Sequence, residues 1–333
     1  MKSLRRSCIR NWFPFLLLVL LFVIILVSLA AGAANLSFSE FINALLHPRE
    51  QNTQSQILWL IRMPRIAANV VCGASLAVSG LMVQTLLSNP LASPTLLGIN
   101  SGAGLAVALC GAFLSLASGW TPAFAFGGAV LASLLIFAVS ARTGSRRGTI
   151  LLAGVAIGSI LSAGIDAVHT FYPESLAGYR SFMIGGFSGI TWSALMPAVY
   201  YVAAGLAAAT LFAGELDVFV LGDETAASLG MRVPLARGVI LTVSSVLAGA
   251  SVSVCGLLGF VGLMTPHLAR RLCPAAGHRR LLPVCALLGA VLVTFCDLLS
   301  RMIFAPYELP AGILLSFLGG PFFLYLLLRK KKA

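Results

Sequence analysis

Charge is what this sequence has least of. Only 10% of its 333 residues are Asp, Glu, Lys or Arg, against roughly 25% in a soluble domain. Ten residues are acidic, and the four lysines (Lys2, Lys330, Lys331 and Lys332) all lie at the termini. This scarcity excludes a soluble enzyme and a disordered chain. The seven cysteines (8, 72, 110, 255, 273, 285 and 296) form no CxxC pair. They read as small buried hydrophobes rather than a zinc or disulfide set. There is no Gly-Lys pair, so no GxxxxGK[ST] loop can cradle nucleotide phosphates, and neither HExxH nor GxSxG occurs. The four histidines, His47, His169, His267 and His278, have no metal-ligand spacing. No catalytic residue, metal site or cofactor is therefore assigned to this chain.

Apolar sequence fills the space that charge leaves. Hydrophobic residues make up 59%, with a mean hydropathy of +0.98. A bilayer-spanning helix needs about 20 apolar residues. The runs at 13–33, 64–87, 95–115, 122–141, 149–170, 192–213, 234–254, 256–271, 281–300 and 309–328 give ten candidate spans. The eighth is short and carries Pro266. The first resembles a signal peptide, but its apolar run is longer than such a region and is read as a retained span. One transmembrane domain covers 1–333.

The net charge of +12 need not imply nucleic acid, because cytoplasmic loops collect Lys and Arg. With ten spans, five basic regions share one side: the amino-terminal segment, the breaks holding Arg142, Arg146 and Arg147, Arg232 and Arg237, and Arg270, Arg271, Arg279 and Arg280, and the tail. The other side holds only Arg49, Arg62, Arg65, Arg180 and Arg301. Both termini are then cytoplasmic. An odd span count would destroy this segregation.

An internal repeat is visible. GASLAVSGLMVQTLLSNP at 73–90 aligns without gaps to GASVSVCGLLGFVGLMTP at 249–266. The repeats open in spans 2 and 7, an odd number apart, so they cross in opposite senses. The fold class is an all-α polytopic membrane protein of about ten helices, with an inverted repeat relating spans 2–5 to 7–10. Inverted repeats are a transporter architecture.

The segment 214–232 is the longest polar stretch on the cytoplasmic side, with Glu215, Asp217, Asp223 and Glu224. Asp223-Glu224-Thr225 places acids at the start of a short helix, and Gly230 suits its C-cap. The spacing alone fits a solvated connector as well as a short helix that docks a partner.

Several segments in fixed order resemble the permease subunits of FecCD-type importers, the ABC importers of iron-siderophores, haem and cobalamin. They are RMPRIAANVVCGASLAVSGLMVQTLLSNPLASPTLLGINSGAG (62–104), LGDETAASLG (221–230), GLLGFVGLMTPHLARRL (256–272), HRRLLP (278–283) and CDLLSRMIFAPYELPAGILLSFLGGPFFLYLL (296–327). The likeness covers nearly the whole chain. It implies a bacterial inner-membrane permease that pairs with a second permease subunit, homologous or identical. Two cytoplasmic ATPases would bind ATP beneath the pair. An extracytoplasmic binding protein would deliver a chelated metal, iron-siderophore being the leading choice. Transport would proceed by ATP-driven alternating access, and nucleic acid has no part in it.

The resemblance also implies residue roles. The short cytoplasmic helices at 215–230 would seat in the ATPase through Gly222, Asp223, Glu224, Thr225, Ala226, Ser228, Leu229 and Gly230. Arg62 and Arg65, in an Arg-x-Pro-Arg pattern, and Arg301 would meet carboxylates of the binding protein, a pairing suited to the guanidinium fork. Arg301 is also placed for an i, i+4 pair with Asp297. The pathway would run along spans 5 and 10. There Gly154 and Gly158 permit close helix approach, and Asp166 and His169 lie near the outer end. Gly185 and Gly186 would hinge an outer gate at 180–192. The competing reading is a secondary transporter driven by an ion gradient. It needs no ATPase dock and usually holds a midplane ion site. The acidic 215–230 segment, and the lack of central acids, favour the importer.

Overall fold

The apolar runs fold into helices, and no strand occurs among the described residues. The computed structural model describes residues 2–30, 42–44, 52–114, 119–142, 147–274, 276–303, 305 and 307–330. The ends of the first and third expected spans, residues 31–33 and 115, lie outside these. So do residues 143–146 of the ARTGSRRG break and Lys331 and Lys332.

In chain order the helices are α1 (Lys2–Ala30), α2 (Met63–Leu86), α3 (Ile99–Phe113), α4 (Thr121–Arg142), α5 (Arg147–Phe171), α6 (Leu176–Ile184) and α7 (Trp192–Leu211). They continue as α8 (Ala213–Val220), α9 (Asp223–Ser228), α10 (Val233–Cys255), α11 (Val261–Leu272), α12 (His278–Met302) and α13 (Ala311–Lys330). A short helix, Thr53–Gln56, is capped by the Asn52 side chain and runs through a π-helical stretch, Ile57–Arg62, into α2. Pro64 explains the π stretch. Its ring cannot tolerate the carbonyl four residues back, so the turn before it widens.

Seven described helices are long and apolar enough to cross a bilayer: α1, α2 with its lead-in, α4, α5, α7, α10 and α12. Among the ten expected spans, α3 and α11 are short. Their 15 and 12 residues reach roughly 22 and 18 Å, short of a hydrocarbon core of about 30 Å. Both expected spans included residues that instead form packed loops, up to Gly98 with positive φ and across Gly256–Phe260.

The centre of the molecule is α2, α10 and α12. In their most apolar stretches 78%, 67% and 61% of residues are buried, against 17% in α5. Small residues allow this proximity. A methyl on Gly80 would overlap the Gly262 carbonyl, and one on Gly73 the Gly289 carbonyl. Lipid gives helices no hydrophobic reason to associate, so close packing and inter-helix hydrogen bonds must do it. Ser75 donates to the Leu247 carbonyl (2.7 Å) and Ser251 to the Cys72 carbonyl (3.3 Å). These serines occupy matching positions in the repeated sequence, and each bonds the opposite helix. Cys72, Cys110, Cys255, Cys273, Cys285 and Cys296 are all buried.

Candidate coupling and docking sites

The polar segment 214–232 forms a helical hairpin. Ala213, Leu216, Phe219 and Ala226 turn into the bundle, while Val220, Leu221, Glu224, Leu229 and Gly230 are exposed. Gly222 (φ 103°) and Gly230 (φ 85°) bracket α9 with conformations that favour glycine. Thr225 and Ser228 also face outward. An apolar patch with a polar rim is a surface suited to a protein partner.

Two carboxylates fasten this hairpin to the bundle. Asp223 Oδ1 accepts from Arg147 Nη2 (2.9 Å) at the start of α5, and Oδ2 accepts from Arg237 Nη2 (2.7 Å) on α10. Arg237 is fully buried and stacks over the Phe219 ring at 5.7 Å. Partial burial pushes the Asp223 carboxyl up. Hydrogen bonds and charge from Arg237 and Arg147 more than reverse this and hold it below the usual carboxylate range. Asp217 Oδ1 accepts from the His278 backbone N–H (2.9 Å) and faces the ring Nδ1 (2.6 Å). The other ring nitrogen lies 3.0 Å from Thr85 Oγ1, which is also reached by Arg270 Nη2 (3.3 Å). Arg270 Nη1 donates to Gln84 (2.6 Å).

At the opposite end of α2 lies a buried charge cluster. Arg65 donates through Nε (3.1 Å) and Nη2 (3.0 Å) to Asp297 Oδ1, and through Nη1 to Glu308 (2.7 Å). Asp297 has no exposed surface. It also accepts from Asn69 (2.9 Å) and pairs with Arg301 at 3.4 Å, the expected i, i+4 contact. Arg301 continues to the hydroxyl and carbonyl of Ser28. Arg62 binds the carbonyls of Leu29 and Ala30. These two guanidiniums thus satisfy carbonyls at the C-terminal end of α1, where cations are favoured.

Arg62, Arg65 and Arg301 lie at this end, turned into the chain. They are only 5%, 8% and 5% exposed, and each is engaged within the chain. Glu308, 34% exposed at its side chain, is the member that opens outward. It lines, with Arg65, Gly185, Gly186 and Pro310, a cavity of about 360 Å³. Gly185 (φ 68°) and Gly186 sit at a backbone junction rather than in a loose hinge. The Gly186 N–H donates to Cys255 (2.8 Å), the Leu257 N–H to Phe182 (3.0 Å) and the Gly312 N–H to Gly185 (3.2 Å).

The expected pathway residues divide. Gly154, Gly158 and Asp166 share an open groove of about 450 Å³ along α5, with Thr95, Ser159 and Ser162. Gly158 permits no unusually close contact within this chain, since an added methyl would meet only Ser101 at 3.7 Å. His169 lies apart, with Nδ1 2.9 Å from Ser175 Oγ and its ring 4.6 Å from that of Tyr179. Asp217, His278, Thr85, Arg147, Arg237, Asn69 and Glu308 were not singled out from sequence. HRRLLP and the basic break before α5 held two of them, but their partners are remote in the chain.

Helices of this length and apolarity, packed around a nearly dry core with polar surfaces at both ends, define a multi-pass membrane protein. The chain belongs to the FecCD transport family, which matches residues 20–329. It is 38% identical over 325 residues to the hemin transport system permease protein HmuU of Yersinia pestis, covering 95% of each chain. It is 34% identical over 325 residues to the Fe(3+)-citrate import system permease protein YfmD of Bacillus subtilis, covering 97% of each. It is 37% identical over 339 residues to the vitamin B12 import system permease protein BtuC of Klebsiella pneumoniae, covering 98% of this chain and 96% of the relative. Its fold resembles an inward-facing metal-chelate type ABC transporter with a TM-score of 0.82 at 27% identity, covering 95% of this chain and 98% of that one.

Proposed function

We propose that this chain is the permease subunit of a binding-protein-dependent ABC importer that carries an iron chelate, most simply an iron-siderophore, inward across the bacterial inner membrane. Membership of the FecCD transport family carries the reading. Hemin and ferric-citrate permeases among the relatives favour iron, and the vitamin B12 permeases keep cobalamin as the competing cargo. The chain forms one permease domain of ten membrane-crossing segments in an inverted repeat, with α13 and the shorter α3 and α11 completing the count and both termini cytoplasmic.

The mechanism divides among three surfaces. The exposed side of α8–α9, with Gly222, Asp223, Glu224, Thr225, Ala226, Ser228, Leu229 and Gly230, seats in a separate ATPase that binds ATP. The little-buried α5, with its small and polar groove residues, faces a second permease subunit across the pathway. This accounts for Asp166 lying open, near the half-buried Gly158 and the buried Gly154, on a helix otherwise fit for lipid. The outer cluster holds the receiving face for an extracytoplasmic binding protein. Arg62 and Arg301 fix α1 there. Arg65 accepts a partner carboxylate in place of the half-open Glu308. Movement across the Gly185–Gly186 junction then opens or closes the outer mouth.

Purification of the tagged chain from native membrane in mild detergent tests this, with bound ATPase and iron assayed together. A co-purifying ATPase, and ATP-dependent uptake of a ferric chelate, are expected. Uptake that follows a proton or sodium gradient with no ATPase present would overturn the reading. ATP-dependent uptake of cobalamin but no iron chelate would overturn the substrate.

A further inference from the structure

The α8–α9 hairpin is tied to two different sets of helices, each through one carboxylate. Asp217 on α8 binds the first residue of α12 twice, through the His278 backbone N–H (2.9 Å) and the ring Nδ1 (2.6 Å). The ring's far nitrogen continues to Thr85 on α2, and Thr85 and Gln84 are held by Arg270 of α11. Asp223 on α9 binds Arg147, the first residue of α5, and Arg237 on α10. Ala213, Leu216, Phe219 and Ala226 pack the hairpin against the bundle through apolar contacts, and the Arg237 guanidinium also lies over the Phe219 ring. Apolar contacts are non-directional and allow sliding. Charge-assisted hydrogen bonds are short and directional, so they pass a displacement on. A carboxylate at the first turn of α12 also meets unpaired N–H groups and the positive end of that helix.

We infer that Asp217–His278 and Asp223–Arg147 are two separate transmission points, the first delivering hairpin movement to α12, α2 and α11, the second to α5. His278 and Arg147 are positioning residues in this scheme. The inference rests on the importer reading above.

The test removes the bundle end of each link and leaves the hairpin intact. His278→Ala, Arg147→Ala and the double variant are reconstituted in liposomes with the ATPase and binding protein. ATP hydrolysis and uptake of the ferric chelate are read from the same vesicles. The ATPase remains bound and hydrolyses ATP, while uptake per ATP falls about ten-fold in each single variant, a usual size for coupling between sites. The double variant falls further. His278→Asn, whose amide N–H can stand where Nδ1 does, recovers most of the uptake. His278→Leu, which keeps the bulk but offers Asp217 no side-chain donor, replaces His278→Ala if that chain aggregates. Unchanged uptake per ATP overturns the inference. So does loss of the ATPase from either single variant, because those side chains would then serve attachment. A wild-type chain that binds no ATPase overturns the importer reading itself, a result distinct from the other two.

Discussion

Asp297 and Asp223 are built alike and placed oppositely. Each carboxylate is shared between two arginines, Arg65 and Arg301 for the first, Arg147 and Arg237 for the second. Asp297 has no solvent exposure, while the Asp223 side chain is 37% exposed. Water decides what each arrangement is worth. In a dry site, charges are costly to desolvate and must be fully paired, so removing one member leaves the rest stranded. At a wet edge a pair such as Arg147–Asp223 gains little, and breaking it costs little stability, although the Arg237 half of the site is buried. The outer cluster therefore reads as structure: Arg62, Arg65 and Arg301, held by Asp297, Glu308 and the carbonyls of α1, lock α2, α12 and the end of α1. The inner contacts read as joints. They direct the hairpin without making the fold depend on it.

Asp297→Ala is the severest test of that contrast. It leaves Arg65 and Arg301 buried beside an empty space and removes an acceptor from Asn69. The expected loss is about 3–5 kcal/mol, the usual consequence of breaking a buried pair. Thermal unfolding of the purified protein in detergent reads it, together with the folded yield. A loss no larger than that from an exposed ion pair would mean that water reaches this cluster, and the two sites would no longer differ in kind.

The contrast was only partly visible in the sequence. Helix positions followed from apolar runs: the run at 149–170 became Arg147–Phe171, and that at 281–300 became His278–Met302. Asp223 to Ser228, between two glycines and led by acids, became a short helix for local reasons. The i, i+4 contact of Asp297 with Arg301 was legible too. The Arg65 contact with Asp297 spans 232 positions and the His278 contact with Asp217 spans 61, so no local pattern announced them. The hydropathy pattern also failed at α3 and α11. A buried loop is as apolar as a buried helix, and only Pro94, Gly98, Gly256 and Gly259 marked the breaks. The arginines at 62, 65 and 301 carried no local sign of how deeply they would be buried. The carbonyls of α1 and the Asp297 carboxylate drew them inward.

Glu308→Gln probes the boundary between wet and dry within the outer cluster. Arg65 keeps its two-pronged contact with Asp297, and the amide can still accept one hydrogen bond. A loss of about 0.2–1 kcal/mol is expected, the range for exposed pairs, again by thermal unfolding. If Glu308 instead behaves like Asp297, the cavity beside it is closed to water and offers Arg65 to no incoming carboxylate. The docking proposal would then lose its contact atom.

The smallest effect is the acid response of Asp223, and its sign is fixed by the direction of its pKa. The folded protein holds this carboxyl below the ordinary value, because Arg237 and Arg147 outweigh the effect of burial. A group depressed in this way stabilises the fold fully above its unfolded pKa, about 3.9. The contribution is lost as pH falls from there through the lower folded value. Above that window α9 is held firmly, and within it the arginines lose their shared anion. Amide hydrogen exchange across 213–230, corrected for the intrinsic rate at each pH, should show greater protection in wild type than in Asp223→Asn at pH 6. The two should converge below about pH 4. Comparison with the Asn variant removes acid effects shared by other carboxyls, including Asp217. If the difference instead persists to the lowest pH, Asp223 shapes the hairpin through packing rather than charge, and its likeness to Asp297 is one of geometry alone.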